Sequence, residues 1–435
     1  MHFSFSGGIP FPHDVENKAL TQALPIEDYT PDQLILPLRQ GFGGACVPVV
    51  DIGQKVKKGQ LVGRPGEGGG TPVHCGLSGV VKAIAEQPMA DGDKVLSLTI
   101  ENDGLGTPEE PFSYTDTPDG LIALMEQAGI IGMGGAGFPA ARKYATDKPI
   151  HHVLINGCEC EPYLTCDHRL MLQQATEVIT GAQAMGRAAQ APVYICVEEN
   201  KPDAIAALQM AARGTAVTVL PLPDRYPQGG ERQLIQAVTG QEVPDGALPA
   251  DVGVLVSNVA TAAALADAMD GRPLTHRLVT VSGMVKRPAN LRVPVGTLLS
   301  DLLAHCGGVM DEPDGTPTVY IAGGPMTGLM LNGLDVPVLK TTGGLLVLPR
   351  PDNTEQNCIR CGACARVCPS RLMPFAIDNA VISGQPAVCA DYNAQQCIAC
   401  GSCSYVCPAK RHLAARVSLV RAAARRQKAG SYRKA

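Results

Sequence analysis

The sequence lacks the features of a secreted or membrane-spanning chain. Its start, "MHFSFSGGIP", has no basic residues followed by an apolar stretch, which is the pattern of a secretory leader. No run of about 18 apolar residues occurs, and even "VGVLVSNVATAAALADAM" carries Asn258 and Asp267. We therefore expect the sixteen cysteines to lie in a reducing compartment, most simply the cytoplasm, and not in a disulfide framework.

Charged residues are also sparse, at 18% of the chain, while hydrophobic residues make up 45%, a composition typical of a globular protein. The 435 residues predict about three domains. Acidic residues are absent from Lys410 onward, where nine Lys or Arg residues occur; the whole chain carries −5, so the part before this tail carries −14. Leu413, Val417 and Val420 lie at helical spacing in the tail. We expect either a solvated helix or a segment that docks on an acidic partner or an anionic lipid surface.

Two cysteine motifs near the end of the chain form the most specific pattern. "CIRCGACARVCP" at 358–369 and "CIACGSCSYVCP" at 397–408 share the spacing C-x-x-C-x-x-C-x-x-x-C-P, so the segment is a tandem repeat. Bacterial two-cluster ferredoxins have this spacing, and the fourth cysteine of each motif binds the partner cluster. The crossed scheme assigns one [4Fe–4S] cluster to Cys358, Cys361, Cys364 and Cys407, and the other to Cys368, Cys397, Cys400 and Cys403. Structural zinc, the alternative, usually takes separated pairs of cysteines.

The N-terminal part of the chain has a strand pattern. Residues 31–110 carry short apolar runs between Gly- and Pro-rich turns and are predicted to be all-β, after a lead of residues 1–30. The pattern "GQKVKKGQLVG" followed by "SGVVKAI" resembles the hairpins of biotinyl and lipoyl domains. No lysine occurs from Gln60 to Gly79 to carry a swinging group. We therefore predict a barrel-sandwich module that serves as a scaffold.

Residues 115–270 alternate between apolar runs and helical patterns, which predicts an α/β core with a largely parallel sheet. The predicted strands are "HHVLIN", "PVYICV", "AVTVLPL" and "VGVLVS". The predicted helices lie near 167–187, 200–213, 229–239 and 258–269. Asn200 is expected to be a helix N-cap. Residues 275–350 return to short strands, the cysteine module spans 355–410, and the basic tail covers 411–435.

A glycine-rich stretch, "GIIGMGGAGFPAARK", lies upstream of the first core strand and contains a G-x-G-x-x-G pattern at Gly132, Gly134 and Gly137. It follows a predicted helix, whereas a dinucleotide fingerprint follows a strand. Its glycines allow backbone N–H groups to approach an anion, and a helix starting near Pro139 directs its positive end there. Lys143 adds a cationic contact. The stretch predicts a phosphate or flavin site, with a flexible turn as the alternative.

The first core strand ends in "NGCECEPYLTCDHRLM", a loop that carries Asn156 and Glu159. Its three cysteines, Cys158, Cys160 and Cys166, are either redox-active or metal-binding groups near the proposed flavin, or small buried residues. A C-x-C spacing alone matches no standard metal site.

Two motifs together resemble the flavin- and NADH-binding subunit of respiratory complex I and its diaphorase relatives. They are "GMGGAGFP" with the lysine that follows it and "NGCECEP" with the D-x-R that follows it. In that family the first motif holds the FMN phosphate and the second borders the flavin ring and the nicotinamide pocket. The resemblance continues in a nucleotide-contacting turn and a flavin-side turn, which here contain Tyr226, Gly230 and Glu231, and Asn258, Val259 and Thr261. Residues 275–350 are similar to the β-grasp-like SLBB domain of the same family.

Two departures from the complex I family concern the NADH contacts more than the flavin site. The family's N-A-D-E is N-G-C-E at 156–159, so the acidic residue before the glutamate is missing. Its Gly-Glu-Glu turn is G-G-E at 229–231, with one glutamate missing. The single-cluster cysteine motif of the complex I subunit is also absent, and the two-cluster module stands in its place.

The whole order of segments, from "FSGGIPFPHDVENK" to the cysteine module, resembles the RnfC/RsxC family of the Rnf/Rsx electron transport complexes. The predicted fold is a multidomain α/β chain: a barrel-sandwich module, a complex I flavin-subunit-like α/β core, an SLBB domain and a two-cluster ferredoxin module. The family implies a peripheral oxidoreductase subunit on the cytoplasmic side of the inner membrane. It also implies electron exchange between NADH and ferredoxin-side subunits, including an iron–sulfur subunit, coupled to ion translocation by membrane-embedded partners.

The resemblance further implies non-covalent FMN, and NAD(H) as substrate, beside the two clusters. The implied cofactor-binding residues are Gly132, Gly134, Gly135, Gly137, Lys143, Asn156, Glu159, Glu231 and Asn258, of which Glu159 and Glu231 lie near the nicotinamide nucleotide. No catalytic acid, base or nucleophile and no nucleic-acid partner is expected. Two alternatives remain: a soluble flavin and iron–sulfur reductase, such as the cobalamin reductase of propanediol-utilisation compartments, and an adaptor that relays electrons by clusters alone.

Overall fold

The computed structural model describes residues 4–310 and 317–432. Three predicted segments therefore include residues outside the described ones: the lead from residue 1, the SLBB segment at 311–316 and the tail beyond 432. The chain forms two compact units. The larger unit consists of residues 17–222 and 248–349, and the smaller unit consists of the described residues up to Glu16, residues 223–247 and the described residues from Arg350.

The strands lie in the larger unit: β1 (Ile26–Asp28), β2 (Gln33–Pro37), β3 (Val47–Pro48), β4 (Lys55–Val56), β5 (Leu61–Arg64), β6 (Val73–His74), β7 (Gly79–Pro88), β8 (Lys94–Asn102), β9 (His152–Asn156), β10 (Val193–Glu198), β11 (Val217–Leu222), β12 (Val254–Asn258), β13 (His276–Gly283), β14 (Ala289–Pro294), β15 (Thr318–Ala322), β16 (Leu329–Leu331) and β17 (Gly344–Pro349).

The helices are α1 (His13–Glu16), α2 (Pro118–Gln127), α3 (Ala140–Tyr144), α4 (Cys166–Gln173), α5 (Ala175–Ala189), α6 (Pro202–Ala211), α7 (Glu231–Thr239), α8 (Val259–Met269), α9 (Leu299–His305), α10 (Ala363–Arg366), α11 (Pro374–Ile382), α12 (Ser402–Tyr405) and α13 (Leu413–Tyr432). Short 3-10 helices cover Lys18–Leu20, Pro249–Val252, Pro386–Ala390 and Ala394–Gln396.

The α/β core of the larger unit is built on a parallel sheet of order β11-β10-β9-β12. The apolar side chains of β9, such as Val153 and Ile155, are fully buried because helices cover both faces of a parallel sheet. The Ala-rich helix α8 packs tightly against α5: a Cβ on Gly181 would lie 1.7 Å from the Ala262 carbonyl oxygen. Glycine therefore permits this close helix contact.

The other sheets of the larger unit agree with the predicted all-β and SLBB-like modules. Two antiparallel sheets, β2-β8-β7-β4 and β3-β5-β6, enclose a separate apolar core that includes Leu36, Val62 and Leu98. A mixed sheet of order β1-β14-β13-β17-β15-β16 packs on α9. Its edge strand β1 comes from the predicted lead and pairs in parallel with β14.

The smaller unit contains α1, α7 and α10–α13, and its described residues include none of the strands. The basic tail forms α13, whose Val417, Val420 and Ala424 are buried against α11 and the adjacent 3-10 helices. The expectation of a solvated tail is therefore wrong for this stripe, because the cysteine module itself covers it. Arg416 also anchors the helix through ion pairs with Glu355 and Asp378.

Two local predictions in the α/β core are corrected. The helix expected at 167–187 is two helices, α4 and α5, because Gln174 between them has φ −133° and ψ 38°. Asn200 is not an N-cap: α6 follows Lys201, and the Asn200 side chain accepts a hydrogen bond from the Lys201 ammonium at 2.8 Å. In the part of the chain that the structure describes, no helix combines the length and the apolar character needed to cross a bilayer.

Candidate flavin and iron–sulfur sites

The glycine-rich stretch forms a closed loop in the larger unit. The Gly132 N–H donates to the Phe138 carbonyl at 2.9 Å, which joins the two ends of the loop. The Met133 N–H donates to the Thr261 hydroxyl at 3.0 Å, and that hydroxyl lies 3.2 Å from the Ile131 carbonyl. The loop is therefore fixed to the first turn of α8.

The middle of the loop presents its backbone outward. Gly134, Gly135 and Ala136 are exposed, and a Cβ on Gly135 would meet no atom within 4 Å. None of these three N–H groups donates a hydrogen bond to another described residue. Successive unpaired N–H groups form an anion-binding concavity. This concavity fits an FMN phosphate, although α3 has only five residues and adds little dipole of its own.

Asn156 and Asn258 lie beside this loop at the carboxyl edge of the parallel sheet. They are register partners at the ends of β9 and β12. The Asn258 side chain caps α8 by accepting from the Ala260 N–H at 2.8 Å, and a Cβ on Gly134 would lie 2.9 Å from its Nδ2. Ligands of open α/β sheets bind outside the carboxyl ends of the strands. The fold thus brings three of the sequence-predicted flavin residues together.

Lys143 and Glu159, two other predicted cofactor contacts, form hydrogen bonds with neighbouring backbone groups. The Lys143 ammonium donates to the Val256 carbonyl of β12 at 2.7 Å. Glu159 is buried and caps α4, because its carboxylate accepts from the N–H groups of Asp167 at 2.9 Å and His168 at 3.1 Å. The Glu159 carboxylate therefore holds the start of α4.

Lys18, which no local sequence pattern indicates, organises the "NGCECEP" loop. Its buried ammonium donates to the carbonyls of Glu159, Glu161 and Leu164 at 2.7, 2.8 and 2.7 Å. These partners lie more than 140 residues away in sequence, so no local pattern could reveal the contact.

Asp167, the aspartate of the D-x-R pattern, also lies beneath the candidate flavin site. Its Oδ2 accepts from the Asn258 side chain at 2.7 Å, while its Oδ1 is buried without a hydrogen-bond partner among the described residues. Burial and the nearby Glu159 carboxylate raise the pKa of Asp167 to about 6, while the Arg277 guanidinium opposes this rise. Arg277 is itself buried and donates weakly to the Met133 carbonyl at 3.5 Å.

Of the three cysteines of this region, Cys158 and Cys166 are buried and Cys160 is half-buried. Burial raises the pKa of Cys158 and of Cys166 well above the ordinary range, so neither is a reactive thiolate. Glu159, Cys166 and Asp167 offer ligand atoms within 4.8 Å of one another. Both Glu159 oxygens already accept N–H groups of α4, so this arrangement favours helix capping over metal binding.

Glu231 lies in the smaller unit. It is the exposed first residue of α7 and follows Gly230. In the same unit, Tyr226 is buried, and its hydroxyl donates to the Cys400 carbonyl at 2.6 Å. The turn predicted to contact the nucleotide is therefore hydrogen-bonded to the backbone of the second cysteine motif.

The eight motif cysteines surround two cavities in the smaller unit. One is lined by Cys358, Cys361, Cys364 and Cys407, and the other by Cys368, Cys397, Cys400 and Cys403. Four thiols converge on each cavity, and the fourth cysteine of each motif reaches the other motif's cavity. This donor set suits the iron ions of a [4Fe–4S] cluster.

Family models match the chain in four consecutive regions. They are the RnfC barrel sandwich hybrid domain at 3–105, the Nuo51 FMN-binding domain at 125–267, the SLBB domain at 278–329 and a 4Fe-4S dicluster domain at 357–410. The predicted order of modules is confirmed, and the chain carries an FMN-binding domain and a two-cluster domain.

Relatives match over almost the whole chain. The C subunit of the Na(+)-translocating ferredoxin:NAD(+) oxidoreductase complex of Acetobacterium woodii is 42% identical over 98% of this chain and 97% of its own length. The counterpart in the proton-translocating complex of Clostridium ljungdahlii is 40% identical over 85% of this chain and 83% of its own.

Among solved structures, an NAD+-reducing [NiFe]-hydrogenase in the H2-reduced state shares the fold. The TM-score is 0.50 at 22% identity, over 63% of this chain and 54% of that one. The full-length sequence matches, together with the order of the four modules, show that the chain belongs to the RnfC family of the ion-translocating ferredoxin:NAD+ oxidoreductase (Rnf) complexes.

Proposed function

We propose that the chain is the electron-transfer subunit of an Rnf-type complex and passes electrons between NADH and the ferredoxin side through FMN and two [4Fe–4S] clusters. The observation that carries this function is that the chain contains both an outward-facing glycine loop at the carboxyl edge of a parallel sheet and two four-thiol cavities. Partner subunits couple the transfer to ion translocation. We propose the domain bounds that the sequence predicts: a lead at 1–30, the barrel-sandwich module at 31–110, the α/β core at 115–270, the SLBB domain at 275–350, the cysteine module at 355–410 and the basic tail at 411–435.

The proposed FMN site uses the N–H groups of the glycine loop for the phosphate, with Gly132, Gly134, Gly135 and Gly137 allowing the close approach. Asn156 and Asn258 lie beside the flavin ring, and Lys143 adds positive charge near the strand ends. Bound FMN exchanges two electrons with a nicotinamide and single electrons with iron–sulfur clusters. This chain's residues bind and orient the two partners, and no side chain has to act as an acid or base.

The proposed nicotinamide contacts are Glu159 and Glu231. The support for Glu159 is its position in the loop that follows β9, next to Asn156. Its carboxylate is occupied by α4, so we propose that it acts by holding the loop backbone in place. Glu231 is exposed at the start of α7 and can reach a ligand directly.

The proposed location is the cytoplasmic face of the inner membrane, as a peripheral subunit beside membrane-embedded partners that include an iron–sulfur subunit. The support is family membership together with the lack, among described residues, of a helix able to cross a bilayer.

The test of the function uses the full chain reconstituted anaerobically with iron, sulfide and FMN. We expect FMN in the denatured extract, about eight iron atoms per chain, and reduction of ferricyanide by NADH. A protein that binds no FMN and shows no NADH activity would be a cluster-only adaptor, and one that reduces cobalamin without membranes would be a soluble reductase. Cys403→Ser is expected to lower iron to about four atoms per chain and to leave flavin reduction by NADH intact.

A charge placed in the glycine loop tests the FMN site. Gly135→Glu introduces a carboxylate where a side chain meets no neighbour, so the fold is retained while the phosphate is repelled. We expect the affinity for FMN to fall by at least about 100-fold, measured by fluorescence titration. Gly333→Glu is the matched control, because Gly333 also has open space around it in the larger unit. Equal FMN affinity in the two variants would refute the assignment.

A further inference from the structure

The two cysteine motifs differ at two positions that bear on charge. Arg360 of the first motif corresponds to Ala399 of the second, and Arg366 corresponds to Tyr405. The second motif, "CIACGSCSYVCP", carries no charged residue at all. The tandem repeat thus places two arginines next to one set of thiols and none within the other motif.

The backbone of the two motifs is nearly the same, so the difference lies in the side chains and their surroundings. Arg360 and Ala399 have φ of 56° and 58°, and the following glycines, Gly362 and Gly401, have φ of 74° and 79°. Each motif then forms a one-turn helix, α10 or α12.

The first motif is the more exposed of the two. Ile359 has 69% of its surface exposed, and Cys361 is also exposed. The corresponding Ile398 and Cys400 are half-buried. The exposed Ile359 side chain therefore offers an apolar contact next to the thiols of the first motif.

The second motif is tied to other segments of the smaller unit. The Tyr226 hydroxyl donates to the Cys400 carbonyl at 2.6 Å, and the Arg421 guanidinium donates to the Cys397 carbonyl at 3.2 Å. The Gly8 N–H donates to the Val367 carbonyl at 2.9 Å, next to Cys368, which lines the same cavity as the second motif. The loops around this cavity are therefore tied to three other segments of the smaller unit, while Tyr405 at the end of α12 is 45% exposed.

The charges around the first motif leave a positive excess. The cations Lys410, Arg411 and Arg416 form ion pairs with Asp352, Asp378 and Glu355. Arg366 donates to the Cys361 carbonyl at 3.0 Å. Within the described residues neither Arg360 nor Arg366 has an acidic partner, and both are exposed, so the first motif carries two uncompensated positive charges.

We propose that Ile359, Arg360, Cys361 and Arg366 form the docking and electron-exchange surface for an acidic one-electron redox protein. This inference rests on the proposed function, because it requires a cluster on Cys358, Cys361, Cys364 and Cys407. One electron leaves that reduced cluster and reduces the docked partner by one electron; no covalent bond forms and no proton moves. The cluster on Cys368, Cys397, Cys400 and Cys403 is the inner relay.

The occupant follows from charge complementarity. Two unpaired guanidinium groups attract a negatively charged face and raise the rate of encounter, and this attraction is screened by salt. A central apolar side chain surrounded by charges is the usual form of a transient interface. Anionic lipid is the alternative occupant, and vesicles test for it below.

The experiment uses the reconstituted full chain, reduced with dithionite and freed of excess reductant. It is mixed in a stopped-flow instrument with oxidised flavodoxin, an acidic one-electron acceptor. The double variant Arg360→Glu with Arg366→Glu is expected to lower the second-order rate constant about tenfold or more at low salt. The difference disappears at high salt, and the same variant reacts no slower with cytochrome c, a basic acceptor.

Arg426→Glu is the matched control, since this exposed arginine of α13 carries the same charge but lies in the basic tail. The control is expected to react like the unaltered chain. Iron content and the electron paramagnetic resonance spectrum of both clusters must be retained in the double variant. If the glutamates remove a cluster, the milder pair Arg360→Gln with Arg366→Gln is used, with an expected loss of severalfold.

An unchanged rate with flavodoxin, or an equal loss in the tail control, overturns the docking surface. So does arginine-dependent binding of the chain to phosphatidylserine vesicles without an effect on flavodoxin. Dithionite supplies the electrons in this assay, so failure of the NADH and FMN steps leaves the result interpretable. Failure of the proposed function is instead seen as missing FMN or missing clusters.

Discussion

The larger unit surrounds its candidate flavin site with an extensive apolar core, in which Val153, Ile155 and Leu255 are almost completely buried. The smaller unit has a much smaller apolar core, formed by residues such as Ile377 and Val417. Its cysteine loops contain only the one-turn helices α10 and α12. The glycine loop is therefore held by protein contacts alone, whereas the thiol loops lack comparable packing.

The two cofactors therefore differ in how much the binding of each contributes to folding. A preformed loop on a packed sheet exists before its ligand binds, so binding the ligand changes local order little. Thiol loops with few apolar contacts depend on the metal, because the free energy of metal binding then contributes to folding.

Removal of the clusters is expected to have the largest effect, and to affect one unit only. Iron removed by a chelator should cost the smaller unit several kcal/mol, because its cysteine loops lose their cross-links. Hydrogen exchange should then speed up across 350–432, while β9 and β10 stay protected. Cys389→Ala, which shortens a buried side chain outside the motifs, is the control and should change the exchange of 350–432 far less than iron removal does. Continued protection of 350–432 without iron would remove the contrast between the units.

The stability of the larger unit should depend strongly on one buried cation near the candidate flavin site, Arg277. Arg277→Met removes a buried cation that opposes the rise in the Asp167 pKa, which should cost about 3–5 kcal/mol in chemical denaturation. Arg272→Met is the matched control, because Arg272 is exposed and its ion pairs lie at the surface. The control should cost less than about 1 kcal/mol. Equal losses of stability in the two variants would mean that the buried carboxyl groups are protonated and need no cation.

The raised pKa of Asp167 predicts a smaller effect that depends on pH. Its pKa rises on folding from 3.8 to about 6, so the folded state binds the proton more tightly than the unfolded state. This contribution to stability is full below pH 4 and is lost as pH rises through about 6. Asp167→Asn should flatten this part of the stability profile, measured by denaturation between pH 4 and pH 8. An unchanged profile would show that another group titrates.

Much of this architecture could be predicted from local patterns. The strands "HHVLIN" and "VGVLVS" are apolar runs bounded by turn signals, and the structure has β9 and β12 there. The crossed cysteine scheme followed from repeated spacing, and each set of four thiols lines one cavity. Patterns of this kind are predictable because a few neighbouring residues determine backbone conformation or ligand reach.

Other features could not be predicted because they depend on distant segments. Lys18 binds carbonyls that lie more than 140 residues away, and Arg277 reaches the glycine loop from β13. Gln174 interrupts a helical pattern that looks continuous in the sequence. The tail stripe at Val417 fitted a solvated helix equally well, until the packing on α11 decided otherwise.

Local residue spacing is enough to predict the order of modules, the glycine loop and the two sets of thiols, since each depends on a short stretch of the chain. Tertiary contacts establish which buried charges lie near the candidate flavin site and make the first cysteine motif the more exposed of the two. They also join the described lead residues up to Glu16 and residues 223–247 to the cysteine module in one compact unit. Burial and charge pairing arise between residues that are remote in sequence, and a linear pattern carries no distance between them.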